Sequence, residues 1–214
     1  MKIVILEGCD NLGKTTLIKG LYEYYIDKYN VLIMHSTSPK PNYTIDLLDY
    51  QRINFINDCY YLKAIEDWYV STKNSCKETL VILDRWVQGE YVWGHIYRKY
   101  SINEINERCV KPTTTFLKSF IKENDIVNIL LDASEDFIIS HDDGLSMCSN
   151  DDLENQRLKI NKQRGIFYLT SVKPEYNCFK NYLVYDVSEK HSINFKDKNI
   201  ISNDIIKYIN NVFK

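Results

Sequence analysis

Only four prolines and seven glycines occur in the 214 residues, and none of them gathers with serine into a linker or a low-complexity stretch. The chain therefore reads as one domain, 1–214, long enough to bury a sizeable core. Charge of one sign is also lacking: 27 Lys and Arg face 29 Asp and Glu, the formal net charge is −2, and no basic block stands out. That excludes the electrostatic footprint expected for binding a nucleic-acid polymer or an anionic membrane, while a small anion in a local pocket stays compatible. No apolar run approaches the length of a membrane span, and the first strand pattern begins at residue 2, which leaves no room for a signal peptide. The expectation is a soluble, intracellular protein of the cytoplasm. Six cysteines (Cys9, Cys59, Cys76, Cys109, Cys148, Cys178) form no C-x-x-C pair and meet no histidine at zinc-ligand spacing. They read as structural or idle thiols in a reducing compartment.

What is there begins at Gly8-Cys9-Asp10-Asn11-Leu12-Gly13-Lys14-Thr15, which fits G-x-x-x-x-G-K-[ST]. Two glycines let the backbone curl so that successive N–H groups point at phosphate oxygens, and the helix that follows turns its positive end toward them. Gly8, Asn11, Leu12, Gly13, Lys14, Thr15 and Thr16 are thus candidates for the phosphates of ATP, with Lys14 bridging the outer ones and the Thr15 hydroxyl holding Mg²⁺. The context is right: residues 1–7 form an apolar strand run, and 14–29 carry helix formers with Leu17, Leu21 and Tyr24 on one face. An ordinary glycine turn with a surface lysine is the alternative.

Four further strand patterns follow, at 31–34, 79–84, 126–132 and 182–187, and they alternate with helical patterns at 46–73, 87–98, 112–122, 134–141, 153–170 and 203–213. The segment 46–73 has room for a break near Asn57-Asp58, and its aromatics, Phe55 among them, read more readily as core or interface than as a ligand platform. Alternation of strand and helix implies a parallel sheet covered on both faces. Residues 35–41 leave the second strand at its carboxyl end, where open α/β sheets bind ligands. Thr79-Leu80-Val81-Ile82-Leu83-Asp84 ends an apolar run in a carboxylate, the feature a Walker B site needs for Mg²⁺, although an Asp there also caps helices well. The polar segment 141–152 suits a mobile lid or a solvated connector equally. Arg157, Lys159, Lys162 and Arg164 beyond it would ordinarily form a solvated helix face.

Several of these residues together resemble the thymidylate kinase branch of the P-loop nucleoside monophosphate kinases. Leu6 to Thr16 is similar to that family's E-G-x-D-x-x-G-K-T-T, Asp84-Arg85-Trp86 to its D-R-[YH], and Leu130-Leu131-Asp132 to its L-D-[VA]; Glu154, Arg164 and Tyr168 resemble its post-lid helix. The resemblance implies a three-layer P-loop NTPase fold with five parallel strands in the order 2-3-1-4-5, and usually a homodimer. It also implies that Asp10 contacts the 3′-hydroxyl of a deoxynucleotide, that Arg85 touches donor and acceptor phosphates, and that Trp93 lies against the acceptor's sugar. Arg52, Phe55 and Tyr168 are further acceptor-side candidates, within or beyond an acceptor region at about 36–75. Where the family places a transition-state arginine in the loop or the lid, this chain has Asn11 and no basic residue between 141 and 152, so Arg157 and Arg164 become the candidates.

The implied reaction is transfer of the ATP γ-phosphoryl group, with Mg²⁺, to the 5′-phosphate of a deoxynucleoside monophosphate, dTMP first. Lys14, Arg85 and Asp84 would carry catalysis, and Thr15 and Asp84 the metal. The acceptor oxygen is already charged near neutrality, so positioning and charge neutralisation suffice. A deoxynucleoside kinase shares the loop and the acid-Arg pair but wants a carboxylate base near the end of strand two, and residues 35–45 hold no Asp or Glu. A nucleotide-binding module without transfer is the third reading.

Overall fold

A computed structural model describes residues 1–35, 63–68, 70–71, 76–144, 146, 148–190 and 192–214. Its centre is β1 (Lys2–Glu7), followed by α1 (Lys14–Tyr25), β2 (Asn30–His35), β3 (Thr79–Asp84) and α2 (Gly89–Arg98). Next come a short α3 (Ile102–Ile105), a π-helical turn (Asn106–Val110), α4 (Lys111–Phe120), β4 (Ile126–Asp132) and α5 (Glu135–Ser140). The chain closes with α6 (Leu153–Val172), β5 (Asn181–Asp186) and α7 (Lys198–Val212). The five strands are all parallel and ordered β2-β3-β1-β4-β5, as the resemblance implies.

Burial follows from that order. Central β1 and β3 are buried along nearly their whole length, which requires cover on both faces, whereas the edge strands β2 and β5 are only partly covered. Ile3, Val4, Ile5 and Leu6 are fully enclosed, each contributing on the order of 1.5–3 kcal/mol of transfer free energy. α1 packs with α7, and α2 with α6. The registers His35↔Asp84, Leu6↔Asp84 and Glu7↔Leu130 bring the carboxyl ends of four strands to one edge of the sheet, where the glycine loop leaves β1.

Some element boundaries differ from the sequence expectation. α1 stops at Tyr25 rather than Tyr29, and its buried tyrosine is Tyr25, while Tyr24 is exposed. The apolar stripe therefore follows a spacing of four and eight from Leu17. α7 starts at Lys198, five residues before the expected 203, because the Asp197 side chain accepts the Asn199 N–H (2.7 Å) and caps the helix there. The helical stretch 102–110 had no clear apolar period to announce it. Most of the segment 46–73 expected to be helical, with Arg52 and Phe55, lies outside the described residues; within it 63–68 is helical, with Ile65 fully buried and Trp68 more than a third exposed.

Candidate functional site

The loop between β1 and α1 takes its shape from backbone conformations that few residues adopt. Gly8 has φ +135°, and a Cβ there would collide with the carbonyl oxygen of Leu131 on β4. Gly13, at the N-cap of α1, has φ +74°, and Asn11 between them is also left-handed, at φ +64°. Lys14 begins the helix and folds back over the loop, donating to the carbonyl oxygens of Gly8 (3.2 Å) and Cys9. Burial first, and then the neighbouring Arg85 charge, lowers its pKa from 10.5 to about 8. A buried ammonium with only carbonyl partners is a strong seat for phosphate oxygens. Thr15 and Thr16 lie exposed beside it. Burial pushes the Cys9 thiol up to about 12, so that cysteine stays protonated and unreactive.

Arg85 joins this loop from the end of β3. Its own backbone is left-handed (φ +69°), and its N–H donates to Leu6 O (2.9 Å), which locks the turn onto β1. The guanidinium donates to Gly8 O (3.1 Å) and ion-pairs with Asp10, while its centre lies 5.4 Å from the Trp93 ring. Trp93 in turn rests against Tyr97 (5.8 Å between centroids) and Phe167 (6.5 Å), so α2 and α6 both brace it. Three of the expected residues, Asp10, Arg85 and Trp93, thus form one assembly. The Asp10 carboxylate is engaged by Arg85 rather than standing free.

Asp84 does not cap the next helix, whose N-cap is Gln88. Its Oδ2 lies instead 2.9 Å from His35 Nδ1 at the end of β2, and its Oδ1 is buried without a hydrogen-bond partner. An orphaned, buried carboxylate oxygen beside a phosphate loop fits a divalent cation or its water shell, with the Thr15 hydroxyl as second ligand. Among the described residues no three His, Cys, Asp or Glu side chains gather into a metal cage. Mg²⁺ here would take its remaining ligands from water and nucleotide phosphates, which is its habit.

Three participants were not singled out from the sequence. Glu7, fully buried at the end of β1, accepts the Trp86 N–H (2.7 Å) and so holds the turn that aims Arg85; burial raises its pKa from 4.5 to about 7, against the pull of Arg85. A lone acid closing an apolar strand was the available signal. His35 required the β2–β3 register to be noticed. Asp142, between α5 and α6, accepts from Asn11 of the loop (3.3 Å).

The two arginines of α6 are already engaged. Arg164 makes a two-pronged pair with Asp132 at the end of β4 (2.8 and 3.0 Å), close behind the loop. Arg157 pairs with Glu135 (3.2 Å) and Asp136 on α5. Lys159 pairs with Asp151 (2.6 Å). Three of the four basic residues on α6 thus bind acids rather than forming a merely solvated face. Tyr168 is exposed. No helix among the described residues is long and apolar enough to cross a membrane, and the five described cysteines are all free.

No family model matches the sequence, and no curated protein matches it either. Among solved structures, the thymidylate kinase from Ehrlichia chaffeensis superposes with a TM-score of 0.62 at 16% identity, covering 96% of this chain and 97% of that one. The likeness shows a shared fold over essentially the whole of both chains.

Proposed function

We propose that the protein is a phosphotransferase that moves the γ-phosphoryl group of ATP to the 5′-phosphate of a deoxynucleoside monophosphate, with dTMP the foremost acceptor. The observation that carries this reading is Arg85. One guanidinium is held between a phosphate-loop carbonyl, Asp10 and the face of Trp93, at the point where a donor on the loop and an acceptor beside it would both present phosphates. Lys14 and Arg85 neutralise charge and align the two phosphates, and an oxygen already ionised as the nucleophile needs no base. Mg²⁺ on Thr15 and Asp84 would add its charge to the β- and γ-phosphates of ATP. Asp10 and Trp93 would meet the sugar, with Arg52, Phe55 and Tyr168 completing the acceptor side. The fold shared with a thymidylate kinase supports the same reading, and a homodimer belongs to it.

A second reading has one specific observation in its favour. A deoxynucleoside kinase needs a proton acceptor near the end of the second strand, and His35 stands there, 2.9 Å from Asp84. ADP release measured with ATP, Mg²⁺ and a panel of nucleosides and their monophosphates separates the two. The monophosphates should stimulate release and the nucleosides should not. Arg85→Ala should lower turnover at saturating substrates by roughly 10³-fold or more, as removal of a phosphate-clamping arginine does; a loss of only a few-fold would remove Arg85 from the role given to it.

A further inference from the structure

We propose that Asp142 is a positioning residue that registers the 142–152 segment on the phosphate loop through Asn11, so that donor binding and the lid are coupled by a carboxylate. The proposal deepens the phosphate-loop reading and rests on it. It starts from an inventory of donors. Asp142 Oδ1 accepts from Asn11 Nδ2 (3.3 Å), the Gly144 N–H (3.1 Å) and Ser149 Oγ (3.0 Å); Oδ2 accepts from Ser146 Oγ (3.1 Å) and Gln156 Nε2 (3.0 Å). A carboxylate offers about four lone-pair sites, so these five donors saturate it. They come from three places: the phosphate loop, the lid segment and the first turns of α6. Burial opposes the charge of Asp142, but the bonds from Ser149, Gly144, Ser146 and Asn11 prevail and hold its carboxyl below the usual range.

Four of the five donors would serve a lid that simply folds on itself. The fifth does not. Asn11 stands in the loop with φ +64°, a conformation its short amide side chain tolerates better than most, and its amide reaches across to the lid. The Ser146 and Ser149 hydroxyls both turn onto Asp142, and Asp152 caps α6 through Asn155 (3.0 Å), so these residues are held together without the loop, and the Asn11 bond ties them to it. Because Asp142 is anionic and faces a loop built for anions, a γ-phosphate arriving there competes with it for the Asn11 amide. The lid position then depends on whether the loop is filled.

Hydrogen exchange of residues 143–151 without nucleotide tests the tie directly, since it needs no activity. Asn11→Ala should accelerate exchange there, and Asn11→Asp, which sets a like charge against Asp142, should accelerate it further. Unchanged exchange in both variants overturns the proposal. A double-mutant cycle with Asn11→Ala and Asp142→Asn, read as KM for ATP and kcat separately, tests the coupling. The two changes should fall short of multiplying by at least about threefold, a size common for residues in direct contact, and the effect should lie in KM more than in kcat. Strictly multiplicative effects, beside a Ser149→Ala control, would mean that Asp142 only folds the lid. If Lys14→Ala and the parent chain bind ATP equally poorly, the phosphate-loop reading fails, while the exchange result still decides whether the tie exists.

Discussion

Glu7 is an acid at the end of a strand whose preceding residues are apolar, and its carboxyl consequently titrates near neutrality instead of near 4.5. Between those two values the folded state holds a proton that the unfolded chain has released, so Glu7 makes stability fall as pH rises through that window and leaves it flat above about pH 7. Glu7→Gln keeps an acceptor for the Trp86 N–H and removes the charge. Relative to the parent it should gain stability between pH 5 and pH 8, by on the order of 3 kcal/mol at most; urea midpoints at the two pH values check this, and a difference independent of pH would contradict it. Gly8 and Gly94 make a second contrast. Alanine at Gly8 needs φ +135° and meets the Leu131 carbonyl, which should cost about 1–3 kcal/mol from backbone strain alone. At Gly94 alanine meets no backbone but the side chain of Ile105, with Cδ1 2.9 Å and Cγ1 3.3 Å away, and roughly 1 kcal/mol of helix propensity offsets the shift that side chain must make, so thermal midpoints should separate the two. The glycine spacing was legible in the sequence because the loop demands it of the backbone. Glu7 and His35 were not, because their partners, Trp86 and Asp84, are distant in sequence and meet them only through the sheet register.

The elements follow the same division. Strands β1, β3 and β4 were legible to within a residue, since buried parallel strands must be apolar throughout. The ends of α1 and α7 were less so, because caps and frayed turns set them. The pairing of the basic residues on α6 has no sequence signal, because the acids that receive the two arginines lie on α5 and β4, and Asp151, which receives Lys159, lies in the turn before the helix. A buried polar contact joins the turn before α2 to the middle of β4, where Asn128 Nδ2 donates to Gln88 Oε1 (2.7 Å) while Gln88 Nε2 and Asn128 Oδ1 have no partner. Gln88→Ala alone strands the Asn128 amide and should cost about 1–3 kcal/mol. Gln88→Leu combined with Asn128→Val removes all four polar atoms and should recover most of that loss. Denaturant unfolding of the two variants reads the difference, and a double variant weaker than the single one would show that the pair stabilises the fold outright.

At the scale of the whole molecule, a phosphate loop, an acid-Arg pair at the end of β3 and a strand order of 2-3-1-4-5 converge on one edge of the sheet. The strand order is the one the family resemblance implies. The bond from Asn11 to Asp142 was not legible, since a polar stretch with one glycine has no period that says what it touches. The central claim is that the transferred phosphoryl group lands on a phosphate. Phosphorus NMR of ATP, Mg²⁺ and dTMP with the full chain tests it most directly. The account predicts the paired resonances of a deoxynucleoside diphosphate growing in step with ADP, and neither in the Lys14→Ala variant. Conversion of thymidine to its monophosphate with no diphosphate formed from dTMP, or ATP left intact with both, would contradict it.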